Sequence, residues 1–182
     1  ITNNCISPPK FLFLSMPKTL FYLAAILLIM IQLHKALAQV DWITPDHVYA
    51  SNIKTVHLIL QGAPLAYPIL SLNSNDVLEL SFDDLDADVK NYYYTMELCN
   101  SDWQPANINS LDYLKGFTEN RIVNYKYSTI PLQHYTHYWI NIPNSNCAPT
   151  RSGNYLLKVY LDSDTSQVVF TKRLLVVSSK VG

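Results

Sequence analysis

Recognisable catalytic motifs are absent from this 182-residue sequence. Its four glycines form no phosphate-cradling loop, and neither a nucleophile elbow nor an HExxH pair occurs. An enzymatic reading therefore has nothing to stand on. Cysteine is also short, with Cys99 and Cys147 the only two after the first few residues. A catalytic cysteine needs a polarising partner, and the sequence places none beside either. Charge is low at 15%, with no cluster of lysine and arginine, which argues against a nucleic-acid surface. Helical periodicity is nearly missing as well, so the chain has to be built from strands.

What the sequence has in excess at its front is apolar residues. Met16-Pro17-Lys18 leads into a mainly apolar run over residues 20–33, followed by Ala36-Leu37-Ala38. A basic start, an apolar centre of this length and a small-x-small end describe a secretory signal peptide over residues 16–38, cleaved before Gln39. A membrane anchor needs about 20 apolar residues, and Gln32, His34 and Lys35 interrupt the run too early. The residue directly after the cleavage point is Gln39 and not cysteine, so a direct lipid anchor is not expected. Residues 1–15 precede the methionine and have no reading of their own. The exported chain, residues 39–182, carries 10 Lys and Arg against 14 Asp and Glu, a formal charge of −4.

The exported part is expected to be one β domain organised around residues 77–103. Leu78, Leu80 and Phe82 alternate with Val77, Glu79 and Ser81; after an acidic break, Tyr92, Tyr94, Met96 and Leu98 alternate with Tyr93, Thr95, Glu97 and Cys99. Two strands joined by an acidic turn read as a central hairpin. Further strands are expected over residues 54–60, 67–72, 122–128, 136–142, 153–161 and 168–177, with Pro68 confining the second to an edge or a strand start. Residues 110–116 suit a single helical turn, capped by Ser110 and ended by Gly116. Eight or so short strands at this spacing indicate an all-β antiparallel sandwich of the immunoglobulin or fibronectin III type. Tyr155, just inside a Ser-Gly-Asn-Tyr strand entry, suits a tyrosine whose hydroxyl ties down the neighbouring corner.

Candidate sites are few. Asp84, Asp86 and Asp88 have the opening spacing of a calcium loop, but Val89 replaces the glycine and Thr95 the bidentate glutamate that such a loop needs. A solvated acidic turn is favoured, with no metal or cofactor. His134 and His137 sit three apart with no third ligand, and His137 belongs to a strand, so zinc is disfavoured. Cys147 falls in the loop 144–149 and Cys99 on the strand face with Glu97; a disulfide between them is open but unforced. Twelve of the thirteen tyrosines lie in the exported chain. Most suit packing, while Tyr93, Trp139 and Tyr160 fall opposite the expected core and suit a protein or glycan contact.

The blocks SFDDLDADVKNYYYTMELCNSDWQP, LDYLKGF, ENRI, YTHYWINIPN and TRSGNYLLKVYLD, spread over residues 46–177, resemble the type IX secretion system plug proteins of Bacteroidota. The resemblance implies a non-enzymatic periplasmic component, associated with the outer membrane, whose partner is the system's very large translocon barrel. A barrel of 36 strands spaced ~4.8 Å and tilted ~40° is roughly 70 Å across, whereas a 144-residue domain has a radius of gyration of ~15 Å. Such a domain is therefore expected to be the N-terminal part of a longer family protein. The alternative reading is an exported carbohydrate-binding or adhesion module. Under the first, Asp84, Asp86, Asp88, Asp102 and Trp103 are the expected partner-binding residues, on a loop surface facing water or a basic partner.

Overall fold

In the computed structural model the chain divides into two compact units, residues 1–42 and 43–182. The structure describes Thr19, Tyr22 and residues 46–129 and 132–178. The expected signal peptide and its cleavage point lie outside the described residues, apart from Thr19 and Tyr22. No described helix is long and apolar enough to cross a membrane.

The second unit is an all-β sandwich. One sheet has the order β2 (Ile53–Leu60), β4 (Leu78–Asp84), β9 (Thr136–Ile142), β8 (Asn124–Tyr127). The facing sheet has the order β1 (His47–Val48), β12 (Val168–Val177), β11 (Gly153–Leu161), β5 (Tyr92–Cys99), β7 (Asn120–Arg121). All these pairs are antiparallel; β3 (Ile69–Ser71) adds to β12 in parallel, directly after Pro68, which has no N–H to give. A small two-stranded sheet pairs β6 (Leu114–Gly116) with β10 (Cys147–Pro149). The strands β9, β11 and β12 have the expected bounds; in β9 buried and open positions alternate along the whole strand.

The expected central hairpin does not form. β4 pairs with β2 and β9, while β5 pairs with β11 and β7, so residues 85–91 carry the chain from one sheet to the other. Seven residues exceed the two to five of a hairpin loop, and sheets packed face to face stand roughly 10 Å apart. Both strands then aim their large side chains at each other across the interface. Phe82 meets Tyr92 edge-on at 5.1 Å, Phe170 at 5.0 Å, and stacks on its strand partner Tyr138 at 5.2 Å. These four rings, all buried, knit both sheets at one end of the core. Each edge-on or offset pair adds about 0.5–1.5 kcal/mol beyond its buried area.

Two local expectations need correction. The helical turn is a single 3-10 turn, Ser110–Asp112, capped by the side chain of Asn109, which accepts from the Leu111 N–H, and not by Ser110. Its continuation is strand β6, ending at Gly116. There φ is +103° and a Cβ would lie 2.2 Å from the Asn146 carbonyl oxygen, so only glycine permits the approach. This brings Cys147 into β10, where it is fully buried instead of looped out.

Candidate functional site

The inward parity of β4 runs on through Leu78, Leu80 and Phe82 to Asp84, which has no exposed surface. A carboxylate in the core needs its lone pairs filled, and each Asp84 oxygen accepts two hydrogen bonds. Oδ1 takes Asn52 Nδ2 at 2.6 Å and the Asp86 N–H at 3.0 Å; Oδ2 takes the Tyr92 hydroxyl at 2.8 Å and Lys90 Nζ at 3.0 Å. Burial pushes the Asp84 pKa up, but the Asp86 N–H, Lys90, Tyr92 and Asn52 outweigh it and leave the group below the ordinary carboxylate value. Lys90 also bonds Asp86 and lies 3.6 Å from Asp88. The aspartates of the crossover therefore converge on one lysine of the same loop.

Strand β9 holds the loop from the other side. The Thr136 hydroxyl donates to the Asp88 carbonyl at 2.8 Å, and the Lys90 N–H donates to the Tyr138 hydroxyl at 2.8 Å. The crossover is a closed electrostatic clasp between the sheets. The expectation of a fully exposed acidic contact loop is thus corrected at Asp84, which is structural; Asp86 and Asp88 stay exposed.

Asp102 and Trp103 do not join this loop. The whole of β5 lies between them and Lys90, roughly 23 Å at 3.3 Å per residue, so the five candidate residues fall at opposite ends of the sandwich. Asp102 is exposed on a turn organised by Asn100, whose Oδ1 accepts from the N–H groups of Asp102 and Gln104, both at 2.9 Å. Trp103 adopts φ +61°, a conformation that bulky side chains rarely take. Its indole lies under the Arg173 guanidinium, 5.0 Å from the ring centroid.

The other candidates separate in the same way. Tyr160 is 1% exposed and is corrected to a packing residue. Tyr93 stacks on it at 6.2 Å, and burial followed by the Glu119 carboxylate raises the pKa of Tyr160. Trp139 is half-buried and stacks on His137 at 5.8 Å, while His137 Nδ1 lies 2.6 Å from Asp83. Among the described residues no three acidic, histidine or cysteine side chains are grouped to hold a metal. Cys99 and Cys147 are both free, and Cys99 is buried despite its place beside Glu97. Burial pushes each thiol up to about 11, with the Glu97 charge adding to the effect at Cys99.

The fold and these sites define an all-β sandwich domain in which most of the charged and aromatic side chains singled out above serve to tie sheets and loops together. Residues 53–178 match the family described as type 9 secretion system plug protein 1st domain, and the chain belongs to that family. Membership of this family suggests a role related to type IX secretion and a location in the cell envelope. Among solved structures, a hypothetical protein from Parabacteroides merdae ATCC 43184 is 28% identical with a TM-score of 0.70, over 73% of this chain and 34% of that one. The present chain therefore spans about a third of that protein. Pseudomonas fluorescens alkylpurine DNA glycosylase AlkC, solved on DNA containing an abasic site analog, reaches a TM-score of 0.34 at 10% identity, over 69% of this chain and 30% of that one, and carries no argument. No curated protein matches.

Proposed function

We propose that this domain is the first domain of a periplasmic plug that closes the type IX outer-membrane translocon barrel by protein–protein contact. The observation that carries the reading is the family match over residues 53–178. A single domain of this size leaves most of a roughly 70 Å lumen open, so it acts with further domains of the same plug. The clasped crossover suits a rigid contact element, with Asp86 and Asp88 presenting charge at one end and Asp102 at the other. A glycan module would need a coplanar exposed aromatic strip; Tyr160 is buried and the Trp103 ring is covered on one side by Arg173.

The test is affinity capture of the tagged protein from outer membranes, with a glycan array in parallel. Recovery of the translocon barrel, with no glycan bound, supports the plug; glycan binding without the barrel points to the adhesion module. Export is checked on the same material, whose periplasmic form should begin at Gln39. An intact N-terminus retained in the membrane fraction would remove the cleavage site from the proposal.

A further inference from the structure

At the end of the sandwich away from the clasp, Trp103 and Arg173 line a cleft of about 220 Å³ with Asp46, Tyr67, Pro68 and Leu174. The Arg173 N–H donates to Asp46 Oδ1 at 2.8 Å, which fixes the backbone beneath the guanidinium. The turn bearing Trp103 is fixed too: Asn154 Nδ2 donates to the Asn100 carbonyl at 3.0 Å, in addition to the two bonds to the Asn100 side chain. A tryptophan held at positive φ on a tied turn is backbone strain that the surroundings maintain, and such strain clusters at ligand clamps.

The guanidinium makes no ion pair and no side-chain hydrogen bond among the described residues, unlike Lys90 and Lys158, which pair with carboxylates. An arginine whose guanidinium carbon stands 5.0 Å over an indole occupies that ring face, and with no acceptor among the described residues its N–H groups remain to be used. These groups form the fork that matches a carboxylate with two parallel bonds. A sugar would need the covered ring face, so the stacking that disfavours a glycan favours an acid. Apart from Asp46, the remaining walls are apolar or aromatic, with Pro68 and Leu175 partly exposed in the cleft and Tyr67 80% exposed.

From this geometry we propose that the Trp103–Arg173 cleft is a docking site for an acidic peptide segment of a partner protein. One aspartate or glutamate takes the Arg173 fork, and the following apolar side chain packs against Pro68 and Leu175, both partly exposed. The Asp46 carboxylate is the one acidic group lining the cleft, and its Oδ1 is taken up by the Arg173 N–H. The assignment does not depend on the partner being the translocon barrel. A protein that fails to capture the barrel can still pass the following test, and one that captures it can fail.

The isotope-labelled protein is titrated with the blocked peptide acetyl-Gly-Asp-Leu-Gly-amide and with its Asn-Leu counterpart, following the Trp103 indole N–H and the Arg173 side-chain N–H by NMR. The acidic peptide should shift both signals saturably at millimolar concentration, as suits so small a probe, and the neutral one should bind roughly 10-fold more weakly. Arg173→Gln should abolish the response at an unchanged melting temperature, and Asp46→Asn should tighten it. Should Arg173→Gln fail to fold, the two peptides on the unaltered protein decide the matter. Equal binding of both peptides, no saturable shift, a response that survives Arg173→Gln, or a Trp103 shift produced by maltotriose instead of the peptide would each overturn the proposal.

Discussion

Lys90 Nζ lies 3.0 Å from Asp84 Oδ2, with Asp84 fully inside the core and Lys90 reaching it from the crossover loop. The pair closes residues 84–90 into a ring and ties the last residue of β4 to the entry of β5 in the facing sheet. Removing Asp84 leaves Lys90 with Asp86 and Asp88 but strands the buried Tyr92 hydroxyl without its acceptor, and a buried polar group so left costs about 1–3 kcal/mol. Asp84→Ala should therefore lower the unfolding free energy, read from denaturant titration, by an amount in this range. A loss below about 1 kcal/mol, the ordinary worth of an exposed pair, would mean that the clasp is replaced by water.

The same pair sets the acid limb of stability. The folded Asp84 pKa is depressed, so its contribution is present above the unfolded value of about 3.9 and is lost as pH falls through the folded value. Melting temperature should stay level from neutral pH to about pH 5 and fall below pH 4. In Asp84→Asn the curve should start lower and fall less steeply, since the titrating group is gone. An unchanged acid slope in that variant would assign the acid limb to other carboxylates.

Asp84 also shows what the sequence made legible. Alternation over Leu78, Leu80 and Phe82 continues through Asp84, so one more step of the same period already puts that carboxylate in the core. Charge alone had suggested a loop. Alternation states which way a side chain faces but is silent on which strand lies beside it, and for that reason the crossover between β4 and β5 resembled a hairpin. The short strands β1, β6, β7 and β10 have two or three residues each and exist only through their partners, so no local pattern announces them. Lys90 stood within the acidic stretch from the start; its convergence with Asp84, Asp86 and Asp88 required the loop's geometry.

Tyr155 gives a second stability test. Its ring is fully buried, 5.9 Å from the ring of Tyr113, and its hydroxyl donates to the Arg151 carbonyl at 2.8 Å, closing the corner at the entry of β11. Tyr155→Ala should cost about 3–5 kcal/mol, and Tyr155→Phe about 1 kcal/mol for the lost hydrogen bond. Equilibrium denaturation of the two variants separates packing from the corner bond; equal losses would contradict this division.

Cys99 and Cys147 should resist alkylation in the native state. The thiolate is the reactive form, and with both groups raised to about 11 it is scarce at pH 8. Cys147 lies against Met96 at 3.7 Å between their sulfurs, out of contact with solvent. Iodoacetamide at pH 8 should leave both unmodified for hours and label both in denaturant, as read by peptide mass. Native labelling of either within minutes would show that the end of the sandwich opens.

Asp86 and Asp88 are the part of the crossover left for a partner. Both are exposed and both share Lys90 with the buried Asp84, so each carries charge that one lysine only partly offsets. Exposed pairs contribute about 0–1 kcal/mol; changing both residues to asparagine should thus leave folding nearly untouched while Asp84 keeps Lys90 in place. If the loop meets a basic surface of the translocon, the double variant should weaken capture of the barrel, and the deficit should shrink at high salt, where unmodified binding is screened as well. Undiminished capture at low salt would take the loop out of the interface and leave the clasp a purely structural role. A double variant that unfolds would instead show Lys90 depending on all three aspartates, contrary to the dominance of Asp84 argued from its four hydrogen bonds.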